Sequence, residues 1–158
     1  MSNQRTCLFT GSRAGGSRMI LRLLAAIGRM EVVLDRGHSH PEFYAAKPWV
    51  ERYYLIAKRR PKWLPFNILI HRILDNDHGA GVHNHPCPYI TIILTGGYWE
   101  TLKEGRHWRP PGYIGFRSAD TKHRVDIEPG TAPITLFIQG PLGLRKAPRS
   151  PYGDQFSR

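Results

Sequence analysis

Between residues 52 and 139, the sequence alternates between short segments rich in β-branched and aromatic residues and stretches rich in turn-forming residues. The β-rich segments are residues 52–58, 66–74, 89–95, 98–103, 113–117, 124–128 and 134–139. The stretches between them, such as DNDHGAG, TGG and RPPG, contain the glycines and prolines that favour turns. Seven strands at this spacing predict an all-β fold, either a sandwich of two sheets or a closed double sheet.

The N-terminal third of the chain differs from this β-rich region. Residues 1–17 are polar and Gly/Ser-rich, which favours a mobile tail. Residues 18–30 have an apolar stripe that predicts a helix, and a loop is expected to follow. We therefore predict an N-terminal extension over residues 1–50, a β-domain over residues 51–142 and a basic tail over residues 143–158.

The chain has a net charge of +11, with 23 Lys and Arg residues against 12 Asp and Glu residues. Such a charge attracts polyanions, acidic small molecules or anionic surfaces. The charge is spread along the chain with one dense run, KRRPK at residues 58–62, and no known nucleic-acid-binding motif accompanies it. Nucleic-acid binding is therefore an open alternative rather than the favoured function.

Cysteine content and hydropathy bear on the cellular compartment. Two cysteines, Cys7 and Cys87, are too few for a disulfide framework. We find no secretory signal, and the apolar stretch at residues 19–27 is interrupted by Arg22 and shorter than the ~20 residues of a membrane span. We expect a cytoplasmic protein with no membrane partner.

The histidines suggest a metal site. His83 and His85, in the tetrapeptide HNHP, lie one residue apart just before a predicted strand, and alternate strand residues point to the same side. His123 lies just before a later strand, and three neutral imidazoles suit a divalent transition metal. We predict that these three histidines bind one ion. A similar earlier pair, His38 and His40, has no strand after it and is interpreted as loop.

The segment around His83 and His85 resembles the first motif of the cupin superfamily. That motif runs from a glycine through His-x-His to a glutamate and a closing glycine. Here Gly79 or Gly81 precedes the pair, and Gly97 closes the motif. The position of the glutamate is held by a tyrosine or an isoleucine at residues 89–90, and neither is an expected ligand for a divalent metal.

The segment from Gly112 to Ile127 resembles the second cupin motif. Gly112 stands at the first glycine of that motif and His123 at its histidine. Ser118, Asp120 and Ile127 replace its proline, glycine and asparagine. The second motif is therefore matched at the residue that would bind a metal and altered at three others.

The resemblance covers about residues 66–141 and extends to small cupins of bacteria and their phages. It implies an all-β, cupin-like double-stranded β-helix (a jelly-roll barrel) with a short N-terminal helical extension. Without the glutamate, the site is similar to that of the thiol dioxygenases, in which three neutral ligands leave positions for an anionic substrate and for dioxygen. Fe(II) is the expected metal, with Mn, Ni or Zn as alternatives. The alternative hypothesis is a cupin that has lost its metal.

The predicted strand at residues 98–103 offers two candidate catalytic side chains on one face. Tyr98 could donate a hydrogen bond to a substrate. Glu100 could act as an acid or a base if burial raises its pKa, or it could lie at a sheet edge facing water. The expected substrate-binding residues are His71, Tyr89, Arg117 and Arg124.

These residues, and Cys87, are assigned their roles for different reasons. Arginine forms paired hydrogen bonds with carboxylates and phosphates, although strand alternation turns Arg124 away from the side of His123. His71 alternates with apolar neighbours and either lines the barrel or is a buried, hydrogen-bonded histidine. Cys87 is interpreted as a half-buried thiol rather than a ligand.

Three functions remain at this point. The leading one is a metal-dependent cupin enzyme, an Fe(II)-type oxygenase acting on a small anionic substrate, with isomerase or lyase chemistry open. The second is a non-catalytic cupin that binds a small molecule, and the third is a cupin that associates with nucleic acid or nucleotides through its basic surface. The resemblance also implies a homodimer, for which the helix near residues 18–30 could serve as an arm.

Overall fold

The structure is a computed structural model that describes residues 14–35, 47–77 and 82–144. Within these ranges the chain forms one helix and nine strands. They are α1 (Ala14–Ala26), β1 (Met30–Asp35), β2 (Lys47–Tyr54), β3 (Asn67–Ile73), β4 (Tyr89–Thr95), β5 (Tyr98–Leu102), β6 (Gly105–Arg109), β7 (Ile114–Arg117), β8 (Arg124–Asp126) and β9 (Ile134–Gln139). No helix in the described ranges is long and apolar enough to cross a membrane.

The strands form two antiparallel sheets. One sheet has six strands in the order β1-β2-β3-β9-β4-β7, and the other has three in the order β6-β5-β8. The last strand, β9, lies between β3 and β4, so strands distant in sequence are neighbours, as in jelly rolls. The two sheets do not close into one continuous barrel. The all-β cupin-like prediction is confirmed, with an open arrangement of the sheets.

The core lies between the two sheets. Ile73 and Ile93 from the large sheet pack with Tyr98 and Val125 from the small sheet. Strand β3 alternates strictly between buried and partly exposed residues, as expected of a strand with one face toward a core. The inward residues of β2, β3, β4 and β9 therefore face the space in which the candidate site lies.

The ends of the helix and two strands differ from the prediction. The helix was expected over residues 18–30 but ends at Ala26, because Gly28 adopts a φ of 71° and donates its N–H to the carbonyl of Ala25. Strand β1 follows at once, in a segment that was predicted to be helix and loop. Strand β6 was missed because its residues are polar and mostly exposed, with no apolar alternation.

The predicted N-terminal extension also contributes to the large sheet. Residues 30–35 form β1, and β2 begins at Lys47, five residues before the predicted start of its segment. The two strands pair with each other, and β2 pairs in turn with β3. The β-domain therefore includes strands from before residue 51. The remaining predicted strands agree with the structure to within a few residues.

Gly97, which closes the first motif, is tightly packed. Its φ is 155°, and a Cβ at this position would lie 2.5 Å from Cζ2 of Trp108. We expect Gly97→Ala to lower the free energy of unfolding by about 1–3 kcal/mol, because Trp108 or the backbone must shift. Denaturant unfolding measures this loss.

The matched control is Gly130→Ala. Gly130 also has a positive φ, of 75°, but a Cβ there would meet nothing within 4 Å. We expect this control to lose about 1 kcal/mol or less from backbone strain alone. Equal losses in the two variants would contradict the role of packing against Trp108.

Candidate metal centre

His83 and His123 are joined through their backbones although they lie 40 residues apart. The N–H of His83 donates to the carbonyl of His123 at 2.8 Å, and the N–H of His123 donates to the carbonyl of His83 at 2.9 Å. This pair of hydrogen bonds bridges the segment before β4 and the segment before β8. Main-chain hydrogen bonds therefore hold the two predicted motifs next to each other.

The three imidazole rings converge on one point. The ring centroids of His83, His85 and His123 lie 5.0 Å apart in each pair. One ligand atom from each residue lies within 4.8 Å of the other two, and Nε2 of His85 is 2.7 Å from Nε2 of His123. Because metal–nitrogen distances are about 2.0–2.1 Å, these three residues could hold one metal ion.

Burial keeps the histidine pair in the form that binds metals. Desolvation, and then the charge of His123, lower the pKa of His83 to about 3. Burial also lowers the pKa of His85 well below its ordinary value, with charges from His123 and His83 adding to the effect. Neutral imidazoles are the form that coordinates a metal ion. The donor set therefore fits a divalent transition metal.

Two carboxylates lie behind the histidine rings. Oδ2 of Asp77 is 3.7 Å from Nδ1 of His83, and Oε1 of Glu100 is 3.3 Å from Nδ1 of His123. Asp77 is itself held by the backbone N–H of Val125, which donates to Oδ2 at 2.6 Å. Metal-binding histidines commonly present their second ring nitrogen to a carboxylate, which fixes the ring. Asp77 was not predicted, because a lone Asp in a turn-like sequence gives no signal.

Glu100 has a role different from the predicted one. It is 1% exposed, and its carboxylate accepts hydrogen bonds from Nε of Arg109 and Nε of Arg117, each at 2.9 Å. Burial alone would raise the pKa of Glu100, but hydrogen bonds from His123 and Arg117 and their charges lower it to about 2. The raised pKa on which the predicted acid–base role depends is therefore not found, and that role stays a prediction. The alternative of an edge position facing water is wrong, because Glu100 is buried.

The two arginines predicted to bind substrate do not reach the cavity. Arg117 is bonded to Glu100 and donates to the hydroxyl of Tyr113 at 3.0 Å. Arg124 is bonded to Asp126 at 2.8–2.9 Å, and its side chain is 39% exposed. Both guanidinium groups already have carboxylate partners. Neither residue lies in the cavity wall, and their contact with a substrate stays a prediction.

A cavity of about 70 Å³ lies between the sheets, beside the three histidines. Two other predicted substrate-binding residues, His71 and Tyr89, lie in its wall, as does the predicted catalytic residue Tyr98. Trp49 and Phe137 contribute apolar wall. At roughly 10–15 Å³ for each water, the space corresponds to about five to seven water molecules, so it suits a small substrate.

The two tyrosines are buried and protonated. The hydroxyl of Tyr89 lies 3.0 Å from Nε2 of His123, and Tyr89 stands where the cupin resemblance expects a glutamate. Burial raises the pKa of Tyr89 well above its ordinary value, and burial followed by the charge of Glu100 raises that of Tyr98. Both phenols are therefore hydrogen-bond donors rather than anionic ligands at neutral pH.

Arg52, like Asp77, is a charged cavity residue that the sequence analysis missed. It is 4% exposed, lies in the cavity wall and is paired across the strands with His71. Desolvation lowers its pKa, whereas the side chains of Tyr54 and Glu31 raise it. The alternation of Val50, Arg52 and Tyr54 toward one face could have signalled an inward arginine, but the predicted strand began only at residue 52.

Cys87 and the basic run, which were also singled out from the sequence, are not part of the histidine cluster. Cys87 is 1% exposed. In the basic run, Lys58 donates to two backbone carbonyls, and nucleic-acid binding stays a prediction. The pair His38 and His40 and the two glycines before His83 fall outside the described residues.

The sequence matches no protein-family model and has no significant match among curated proteins. Its structure is similar to the DMSP lyase DddQ from Ruegeria pomeroyi DSS-3, with a TM-score of 0.60 and 16% identity over 90% of this chain and 71% of that one. A cupin superfamily protein from Desulfitobacterium hafniense DCB-2 matches with a TM-score of 0.46 and 14% identity, over 62% and 83% of the two chains. The polyketide cyclase RemF from Streptomyces resistomycificus matches with a TM-score of 0.48 and 18% identity, over 65% of this chain and 75% of that one. At these identities, a likeness shows a shared fold and not a shared reaction.

Proposed function

The chain has a cupin fold, and we propose that it is a metal-dependent enzyme, an Fe(II)-type oxygenase that acts on a small anionic substrate. The observation that carries this proposal is the cluster of three histidines beside a cavity, of which His85 and His123 are buried and His83 is partly buried. Two carboxylates of the site lie behind the rings instead of beside the ligand atoms. The donor set is therefore neutral, which favours an ion that keeps its full charge for an anionic partner.

His83, His85 and His123 would hold the metal ion. When bound, Fe(II) would supply the redox chemistry that an oxygenase needs and that no side chain of this cavity can supply. Imidazole ligands also accept Mn, Ni and Zn, so the cellular supply of metals contributes to the choice. The protein contributes the placement of the rings through the backbone pairing of His83 with His123. The carboxylates of Asp77 and Glu100 lie 3.7 Å and 3.3 Å from Nδ1 of His83 and His123, where small shifts would let them accept hydrogen bonds from the rings.

Arg52 is the residue that supports an anionic substrate. Its buried side chain lies in the wall of the cavity, where an anion would gain a charged hydrogen-bond partner screened from water. Tyr54 forms a hydrogen bond with Arg52 and is itself bonded to the carboxylate of Glu31, which holds the guanidinium group in place. A substrate carboxylate at Arg52 would lie in the same small cavity as the histidines.

The remaining wall residues orient the substrate and exclude water. Burial raises the pKa of Tyr89 and of Tyr98, so both phenols are protonated at neutral pH, and the hydroxyl of Tyr89 lies 3.0 Å from Nε2 of His123. Phe137 stacks on His71 with ring centroids 4.6 Å apart and on Tyr89 at 4.5 Å. These aromatic contacts keep the cavity wall rigid and largely apolar, as is typical of small-molecule sites.

The proposal is tested with purified protein reconstituted with Fe(II), Mn, Ni or Zn in turn. Metal is counted per chain, and oxygen consumption is then measured with a panel of small carboxylates, hydroxy acids and thiol acids. Oxygen uptake with Fe(II) and one of these compounds is the expected result. Stoichiometric metal with turnover but no oxygen uptake would replace oxygenase by lyase or isomerase chemistry. Absence of metal after every reconstitution would overturn the proposal.

Replacing Arg52 with methionine tests the substrate class. Because a charged hydrogen bond is worth about 1.5–3 kcal/mol, we expect Arg52→Met to weaken binding of small carboxylates to the metal-loaded protein about 10- to 100-fold. The metal content should not change. Isothermal titration calorimetry measures the binding.

The matched control is Arg124→Met, which removes a cation from a partly exposed position on β8. This variant should bind carboxylates like the wild type. A weakening of equal size in both variants would indicate an effect of net charge and would contradict the role of Arg52 in the cavity.

A further inference from the structure

Helix α1 and the turn that ends it carry an uncovered row of apolar side chains. Four of them are largely exposed: Met19 at 61%, Ile20 at 51%, Leu23 at 59% and Ile27 at 68%. Ile27 follows the last residue of α1, but its N–H donates to the carbonyl of Leu23 at 3.1 Å and so continues the helical turn. Because an α-helix turns about 100° per residue, the four side chains lie within an arc of about 100°. They are called the apolar stripe below.

The opposite side of the helix packs against the large sheet. Leu21 is 8% exposed, and α1 contacts β2. On the helical wheel, Leu21 lies about 150° from the middle of the apolar stripe. The apolar stripe therefore points away from the protein. Contiguous exposed apolar patches on soluble proteins commonly mark interaction surfaces.

Arginines border the apolar stripe along one side. Arg18 and Arg22 are exposed and lie about one turn apart on the helix. Both lie about 60–100° from Met19 around the helix axis, on the side away from Ile20. Residues 14–29 contain three arginines and no Asp or Glu. An apolar stripe bordered by cations is typical of helices that lie in the headgroup region of a membrane.

The loop between β2 and β3 adds more cations and an exposed tryptophan. Residues 55–66 contain four Lys and Arg residues and no Asp or Glu, and Trp63 is 80% exposed. Three hydrogen bonds join this loop to the end of α1: from Arg29 to the carbonyl of Ile56, and from Lys58 to the carbonyls of Gly28 and Met30. Each bond leaves the positive charge of its donor in place. The helix and the loop therefore lie side by side as one basic surface without an acid.

We propose that this surface binds the chain to an anionic phospholipid membrane, with α1 lying parallel to the plane of the bilayer. The apolar stripe enters the boundary between headgroups and acyl chains, and Trp63 lies at the level of the headgroups. Arg18 and Arg22 reach the lipid phosphates with their guanidinium groups, while their aliphatic stems stay beside the apolar stripe. The expectation of no membrane partner concerns an apolar stretch too short to span a bilayer, and a helix that lies in the interface needs no such length.

The apolar stripe favours a membrane over a nucleic acid as the anionic partner. Surfaces that bind nucleic acids combine cations with aromatic side chains that stack on bases or with polar ones that contact base edges. The four residues of the apolar stripe are neither aromatic nor polar, and lipid acyl chains would bury them. The surface is also separate from the histidine cluster, because none of its residues lines the cavity. Membrane binding is therefore independent of the proposed enzyme activity.

Co-sedimentation of the full-length protein with lipid vesicles tests the proposal. Vesicles of phosphatidylcholine mixed with phosphatidylglycerol should bind the protein, and rising salt should weaken binding because it screens exposed charges. Vesicles of phosphatidylcholine alone should bind at least about 10-fold more weakly, since each cation near an anionic surface accounts for about 5-fold in affinity. No binding to the anionic vesicles at low salt would overturn the proposal, as would equal binding to both kinds of vesicle.

Leu23→Asp tests the apolar stripe. Loss of one leucine from the lipid boundary should weaken binding to the anionic vesicles at least about 10-fold. The matched control is Ile114→Asp, which makes the same change of charge at a β7 position that is 65% exposed, and it should bind like the wild type. Circular dichroism should show both variants folded, and Ile27→Asp provides a second variant of the apolar stripe. Unchanged binding by both stripe variants would overturn the insertion of α1.

Arg22→Gln tests the cations beside the apolar stripe. We expect about 5-fold weaker binding to the anionic vesicles. Lys103→Gln removes the same charge from an exposed turn between β5 and β6 and should bind like the wild type. Equal weakening in the two variants would indicate an effect of net charge and would overturn the assignment to this surface.

Two further measurements examine other partners of the same surface. Sedimentation velocity without lipid should give the same mass for Leu23→Asp and the wild type. A mass that Leu23→Asp halves would assign the apolar stripe to a second copy of the chain. Binding of a DNA oligonucleotide that Arg22→Gln weakens, without binding to vesicles, would assign the cations to nucleic acid. Either result would overturn the proposal.

Discussion

Replacing His83, His85 or His123 with alanine is expected to remove the bound metal. Each substitution deletes one of three converging ligands, and loss of a residue that merely supports a ligand already costs about 10- to 100-fold in metal affinity. We therefore expect each variant to lose at least about 100-fold in affinity. Elemental analysis after dialysis, together with titration by a competing chelator, measures the loss.

Two other histidines provide matched controls for this experiment. His71 lies in the cavity wall but outside the ligand cluster, and His107 is exposed on β6. His71→Ala and His107→Ala should retain metal at the wild-type stoichiometry. Metal lost equally from His107→Ala would indicate binding at the surface, and metal retained by all three ligand variants would contradict the three-histidine site.

Replacing Glu100 with glutamine is expected to lower the free energy of unfolding by about 3–5 kcal/mol, the usual cost of breaking a buried ion pair. The carboxylate is 1% exposed and bonded to Arg109 and Arg117, whose side chains are themselves 17% and 11% exposed. Glutamine preserves the shape of the side chain but leaves both cations without a negative partner. Denaturant unfolding of the metal-free protein measures the loss. Glu104→Gln, the same change at an exposed turn, should stay within about 0.5 kcal/mol of the wild type.

The pH dependence of this loss distinguishes a charge effect from a packing effect. The pKa of Glu100 is lowered from 4.5 to about 2 in the folded protein, so its charge stabilises the fold fully above pH 4.5. That stabilisation declines as the pH falls from 4.5 toward 2. The difference between wild type and Glu100→Gln should therefore shrink over this range. A constant difference down to the lowest pH would mean that the carboxylate charge is not the cause.

Most of the strands could be predicted from local sequence, because a half-buried strand requires its own alternation of side chains. Strands β4 and β9 coincide with their predicted segments, and β3 differs by one residue at each end. Strand β1 was not predicted, because a short apolar segment next to a helix has no feature that distinguishes it from a further helical turn. Strand β6 was hidden because its stability comes from pairing with β5, which its own polar residues do not reveal.

Some residues of the candidate site could likewise be predicted from the local sequence, and others could not. His83 and His85 could be predicted because their spacing of two residues in an extended segment places both rings on one side. His123 could be added because it lies just before a later strand, and the resemblance to the second motif supports it. Arg52 was missed because its strand was predicted to begin only at residue 52, although the alternation from Val50 to Tyr54 could have signalled it. Asp77 could not be recognised, because it belongs to the site only through a neighbour far along the chain. Asp77 is held by the N–H of Val125, 48 residues later.

The charged residues near the second motif show what the local sequence cannot determine. Composition and spacing determined an all-β chain, three histidines suited to one metal and an excess of arginines suited to an anion. They could not determine which arginine faces the cavity, since that depends on how the strands pack against one another. Tertiary packing binds Arg117 and Arg109 to Glu100 and places Arg52 in the cavity wall. An ionised carboxylate cannot be buried without such partners, so the assembled core, and not the residue type, assigned the role of each charge.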